Sequence, residues 1–204
     1  MAVARRRSPR ADYLRLEVAN EAARIMREQG IRDYLLAKRK AAERLGVSDR
    51  SSLPGNDEIE VALKAQQRLF GGAGYENRLA MLRRTAGQVM RILDGFEPRL
   101  VGPVLTGAVT DHSDVNLHVF SDAPEAVALR LMDQGIPFQL TERRVRYSPE
   151  RTDCMPAYRF VAGDVPVEVA VFPYSGMRQA PYCPVEGRPM RRASLADLAG
   201  LTED

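Results

Sequence analysis

The residues best suited to chemistry lie in two stretches, Leu105-Thr106-Gly107-Ala108-Val109-Thr110-Asp111-His112-Ser113-Asp114-Val115-Asn116-Leu117-His118-Val119-Phe120 and the valine-rich run Val165–Phe172. In the first, a glycine turn and a polar loop lead into a run that opens with Ser113-Asp114 and then alternates apolar with polar. Side chains of an extended chain point to opposite faces in turn. Val115, Leu117 and Val119 therefore share one face, and Asp114, Asn116 and His118 the other. The second run sets Val167, Val169 and Val171 against Glu168 in the same way. If the two runs are neighbouring strands, Glu168 approaches Asp114 and oxygen donors gather about one point. A magnesium ion bound to phosphates requires such a set.

Other polar residues offer less. His112 sits in the loop beside Asp114, where it is either solvated or within reach of a phosphate. His118 suits a polar position on a half-buried strand, and a zinc site would need more nitrogen or sulfur donors than surround it. Arg143, Arg144 and Arg146 on one extended segment, Arg159 on another, and Arg191-Arg192 near the end either protect strand edges or grip phosphate through the guanidinium fork. Cys154 and Cys183 are two separated cysteines and suit reduced thiols rather than a disulfide framework. Neither a glycine-rich phosphate loop followed by lysine nor a serine nucleophile elbow occurs, so P-loop ATPase and serine hydrolase chemistry are poorly supported.

The elements that must position these residues divide into two styles. The first 95 residues read as helices. Leu14, Val18, Ala22 and Ile25 recur at helical spacing before Gly30. A second helix runs from Ile31 to Leu45 and stops at Gly46. Asn56 is placed to cap a third, with a buried stripe of Ile59, Ala62, Leu63, Leu69 and Phe70. The glycines at 71, 72 and 74 should then break the chain before a fourth helix with Leu79, Leu82, Ala86, Val89 and Leu93 on one face. Beyond residue 95 the period changes. Strands are expected at Leu100–Leu105, Asp114–Phe120, Pro137–Tyr147, Ala157–Ala162 and Val165–Phe172, with a helix over Pro124–Gly135 and a hairpin turn at Gly163-Asp164. Ser194 is placed to cap a last short helix. The fold class expected is α+β, a helical region of residues 11–95 packed on a small mixed-sheet domain of residues 96–175. A disordered basic tail of residues 1–10 precedes it and a C-terminal tail of residues 176–204 follows.

Charge follows the same division. Residues 1–95 hold 19 basic and 12 acidic side chains, a net of +7, and residues 96–204 hold 11 and 15, a net of −4. The asymmetry fits either an anionic partner for the helical half or ordinary solvated helix faces in an arginine-rich chain, with 27 Arg against 3 Lys. Ala41–Ser48 resembles the start of a helix-turn-helix, but Leu53-Pro54-Gly55 interrupts the helix that should read DNA. No apolar run reaches the length of a membrane span, and the arginines at the N-terminus lead into no apolar segment. A cytoplasmic protein without membrane contact is the expectation.

The stretch from residue 99 to 172 resembles the nucleotidyltransferase domain of the DNA polymerase β-like superfamily. That signature is a Gly-Ser turn after a strand, a spacer, Asp-x-Asp on the next strand and a third carboxylate on a later one. The resemblance implies a mixed sheet with helices, a nucleoside triphosphate held at the turn, and Mg²⁺ or Mn²⁺ bound by the carboxylates. It implies transfer of a nucleoside monophosphate to a hydroxyl acceptor, which the sequence does not identify; RNA and protein are candidates. Carried over, Gly107 matches the turn, with Thr106 and Ser113 as neighbouring nucleotide contacts. Asp114, Asn116 and Glu168 match the three metal-binding and catalytic positions. The chain departs from the pattern at Ala108, where the family has serine, and at Asn116, where it has the bridging aspartate. The spacer from Gly107 to Asp114 is also short. Asparagine supplies one neutral oxygen and no negative charge. These departures equally suit a relative kept as a binding module for nucleotide, RNA or protein.

Overall fold

The computed structural model describes residues 9–49 and 52–201. The chain divides into two compact units, Met1–Tyr75 and Glu76–Asp204. The basic tail expected over residues 1–10 lies largely outside the described residues; Pro9 and Arg10 open the first helix.

In the first unit, α1 (Pro9–Gln29) packs against α2 (Tyr34–Arg44) and α3 (Asn56–Phe70). The contact stripe is made of small and branched residues: Val18, Ala22, Ala23 and Ile25 of α1, Ala37 and Ala41 of α2, and Ile59 and Leu63 of α3 are all buried. Alanine at so many of these positions lets helix axes approach closely. Asp33 caps α2 by accepting from the Leu35 and Leu36 amides at 2.7 and 3.0 Å. Arg15 of α1 grips Glu58 of α3 and donates to the Leu53 carbonyl at 2.8 Å. Two expectations are corrected. The cap of α3 is Gly55, whose amide donates to Glu58, and Asn56 is the first helical residue. Leu69 and Phe70 lie on the surface, because Gln67 takes the buried position one turn after Leu63.

The helix α4 (Gly72–Ile92) begins at the second glycine of the cluster and crosses the division between the units. The boundary drawn at residue 95 from the sequence therefore moves to residues 75 and 76. The reason lies in what α4 touches. Gly87 faces Leu195 and Leu198, and Arg83 donates to the Leu201 carbonyl at 2.7 Å.

The second unit is a five-stranded mixed sheet of β1 (Arg99–Val101), β2 (Val115–Phe120), β3 (Gln139–Arg146), β4 (Thr152–Ala162) and β5 (Val165–Phe172), ordered β1-β2-β5-β4-β3. The fold class is α+β, as the sequence indicates. The β4–β5 hairpin turns at Gly163, whose φ of +62° suits glycine. β5 is apolar at nearly every position, as suits an interior strand paired on both edges, parallel to β2 and antiparallel to β4. The strand expected over Leu100–Leu105 stops at Val101. Gly102 takes φ +73° and Pro103 opens the short helix α5 (Pro103–Thr106), since proline preset at the first helical position favours a helical start. Helix α6 (Pro124–Asp133) buries Val127 and Leu131, and the Tyr158 hydroxyl donates to the Pro124 carbonyl at 2.9 Å. That bond fixes α6 on the face of the sheet that carries Leu117, Val169 and Tyr158.

The C-terminal segment is part of this unit rather than an appended tail. Leu100 and Ala193 exchange two backbone hydrogen bonds, at 2.8 and 2.9 Å, on the outer edge of β1. Ser194 then caps α7 (Leu195–Gly200) as expected.

Leu117 is central to the covered face and 1% exposed. Leu117→Ala should lower the stability of this unit by about 2–5 kcal/mol, measured by urea unfolding.

Candidate functional site

The register of β2 against β5 builds the site. These strands run parallel, with Asn116 opposite Glu168, Leu117 opposite Val169 and His118 opposite Ala170. Paired positions share a face, so Asn116 and Glu168 stand side by side on the face away from α6. β4 adds Arg159 directly opposite Glu168. β3 adds Arg143 on the same side, because Arg143 pairs Met155, which lies two pairs along from Arg159 on that face. Asp114 lies just before β2 and is 8% exposed. The Arg159 guanidinium reaches both acids: Nη2 is 3.5 Å from Asp114 Oδ2 and Nε is 3.8 Å from Glu168 Oε2. Arg143 Nη1 donates to Glu168 Oε1 at 3.0 Å. Two carboxylates separated by 54 positions in the chain thus converge on one cation. Asn116 is paired with Glu168 across the strands, and its Nδ2 donates to the Asp114 carbonyl at 3.3 Å.

The donor set comprises Asp114, Glu168 and the Asn116 amide oxygen. Among the described residues no group of three or more His, Cys, Asp or Glu side chains gathers that could cage a metal by itself. Hard oxygen donors suit magnesium, which commonly takes one or two carboxylates and completes its shell with water and phosphate. The set fits one such ion better than two, because Asn116 brings no charge to hold two cations close together.

A second glycine turn, not singled out from the sequence, lies beside these residues. The glycine against Asn116 is Gly102, at the end of β1: a β-carbon there would lie 3.4 Å from Asn116 Nδ2. Its φ of +73° and ψ of −153° belong to a region that only glycine occupies readily. Gly107 instead ends α5 in a left-handed conformation, its amide bonded to the Pro103 carbonyl at 2.8 Å, and it is buried. Thr106 Oγ1 is shielded from solvent and has no hydrogen-bond partner among the described residues. Ser113 staples its own loop, its Oγ accepting from the Thr110 amide at 2.8 Å. The Ser113 and Gly107 bonds thus shape the turn and loop that lead to Asp114. The sequence signal for Gly102 was the Gly-Pro pair, which ends a strand and starts a helix.

Farther along the same face the surface turns aromatic. Phe120, Val145, Tyr147, Ala157, Ala170 and Phe172 form a buried cluster. Arg192 lies over it, with its guanidinium carbon 5.0 and 5.1 Å from the Phe120 and Phe172 ring centres. Its Nε donates to His118 Nδ1 at 3.1 Å and its Nη1 to the Gly176 carbonyl at 2.7 Å. Burial lowers the Arg192 pKa to about 10, Tyr147 acting against the shift and Arg99 with it; the side chain stays charged at neutral pH. Of the arginines picked out as phosphate grips, Arg192 is thus committed to the aromatic cluster. Burial, reinforced by Arg192 and Arg143, holds the His118 pKa well below that of a free histidine, so the ring is neutral. His112 is exposed on the loop before Asp114.

No protein-family model matches the chain, and no curated protein matches it.

Two measurements check this geometry. Gly102→Ala should cost about 1–3 kcal/mol in urea unfolding and shift the Asn116 side-chain amide resonances, whereas Gly107→Ala should leave those resonances in place. The depressed His118 pKa sets a sign for pH dependence. Below about pH 6.5 the unfolded chain takes up a proton that the folded chain refuses. In buffer free of divalent ions, stability should therefore fall with acidification through that range, by at most about 1.4 kcal/mol per pH unit from this residue. His118→Asn should remove that component of the slope.

Proposed function

We propose that the open face of the second unit is a nucleotide site of the DNA polymerase β-like nucleotidyltransferase kind. It would hold a nucleoside triphosphate together with Mg²⁺ or Mn²⁺ and pass the nucleoside monophosphate to a hydroxyl acceptor. One observation carries this reading: Asp114 and Glu168 are drawn to the same guanidinium, that of Arg159, and Asn116 is paired with Glu168 across the strands. Asp114, Glu168 and the Asn116 oxygen would hold the ion, which supplies charge neutralisation at the phosphates. In the transfer the acceptor oxygen bonds to the α-phosphorus, the bond from that phosphorus to the β-phosphate's bridging oxygen breaks, and pyrophosphate leaves. The acceptor's proton passes to Asp114 or to solvent. Most of the rate in such reactions comes from positioning and electrostatics, and strands give rigid positions. Candidate acceptors are RNA and protein hydroxyls. A site drawing on nucleoside triphosphates suits the cytoplasm, and among the described residues no helix is long and apolar enough to cross a membrane.

A second reading is supported by Asn116 and by the two arginines on the acids: a relative that binds nucleotide, RNA or a protein partner without transfer. Calorimetry with each nucleoside triphosphate, with and without Mg²⁺ or Mn²⁺, separates the two. The first reading expects metal-dependent binding that Asp114→Ala weakens roughly tenfold or more, together with pyrophosphate release when acceptor is present. Binding indifferent to both metal and Asp114 would support the second.

A further inference from the structure

We infer that Arg159, assisted by Arg143, is the resident counter-ion of this site and exchanges the carboxylates for the ligand's phosphates when a divalent ion enters. The exchange half of this statement rests on the function proposed above; the counter-ion half does not. Three observations carry it. The first is charge. Asp114 and Glu168 bring two negative charges, Arg143 and Arg159 bring two positive ones, and all three ion pairs lie within 3.8 Å. A divalent ion approaching alone finds both carboxylates already paired with arginine and must displace a guanidinium.

The second is the difference in anchoring. The acid side chains are 8% and 15% exposed, held at the strand surface, whereas Arg159 and Arg143 are 47% and 48% exposed. The arginines hold the longer, solvent-side end of each pair and can swing without disturbing the sheet. The third is chemistry. A guanidinium fork released from a carboxylate is matched to phosphate oxygens in the same bidentate manner. A nucleoside triphosphate arriving with its ion brings the negative charge that the displaced arginines then need. Ion and nucleotide should bind together far better than either does alone, and each must raise the affinity of the other by the same factor.

The test titrates Mn²⁺ alone, by electron paramagnetic resonance, into the wild-type protein, Arg159→Ala, Arg159→Lys and the Arg143→Ala/Arg159→Ala double variant. Arg144→Ala serves as control, since Arg144 lies on the opposite face of the same strand. Circular dichroism verifies that each variant is folded. Removing the guanidinium should tighten Mn²⁺ binding by roughly tenfold or more, most in the double variant, because two carboxylates are left unneutralised. Arg159→Lys keeps the charge and should stay near wild type. Calorimetry with Mn²⁺–ATP should move the opposite way, losing roughly tenfold in the alanine variants. A residue with only a structural role would shift both affinities in the same direction. Unchanged Mn²⁺ binding in every variant overturns the inference, and it does so even if wild-type protein binds Mn²⁺–ATP, which would leave the proposed function standing. Tighter Mn²⁺ binding in the variants, with no nucleotide bound by any form, upholds the counter-ion role and overturns the exchange along with the nucleotide reading.

Discussion

The parallel pairing of β2 with β5 is the constraint from which the rest of the second unit follows. Shifting that register by one residue would turn Glu168 to the helix-covered face and bring a valine up beside Asn116, since neighbouring side chains on a strand point to opposite sides. The register is held by burial: Leu117, Val119, Val169 and Val171 are all at most 1% exposed on the covered face. Exposing that row to solvent would forfeit the apolar burial of the covered face. The apolar face thus fixes where the polar face puts its charges, and the position of the acids is a by-product of core packing.

The sequence made part of this legible. Alternation in Val115–Phe120 and the valine run before Phe172 marked both strands and the face of each polar residue, because a period of two is a local property. Gly163-Asp164 marked the hairpin for the same reason. The identity of the partner strand is not local. Some 44 residues, including α6 and the whole of β3 and β4, separate β2 from β5, and only the assembled sheet decides that Asn116 faces Glu168. The turn at Gly102 was missed because six residues from Leu100 to Leu105 contain four apolar side chains and resemble a strand. The Gly102-Pro103 pair inside them carries more information than the apolar count, as it fixes two backbone conformations outright. The exposed Leu69 and Phe70 show the converse: a helical stripe predicts burial only for positions that turn toward the neighbouring helix, and there Gln67 takes the inner place.

The arginines divide by the company their strands keep. Arg143 and Arg159 stand where the open face carries acids and remain half in solvent. Arg192 comes from the C-terminal segment and lies where the same face is aromatic, stacked on Phe120 and Phe172 and bonded to a neutral histidine. Guanidinium is weakly hydrated and planar, so it tolerates both settings. Lysine would keep the charge but could neither fork across two carboxylates nor stack flat over the rings. The scarcity of lysine, three against 27 arginines, therefore has a structural counterpart on this face.

The paired backbone bonds between Leu100 and Ala193 give the C-terminal segment a second role. β1 is the terminal strand on its side of the sheet, and an uncovered terminal strand is a template for another chain. By laying Ala193 against it, the segment seals that border, and the neighbouring Arg192 roofs the aromatic patch at the same time. A chain ending before residue 191 would bare a sticky border and a greasy surface together, and self-association is the expected consequence.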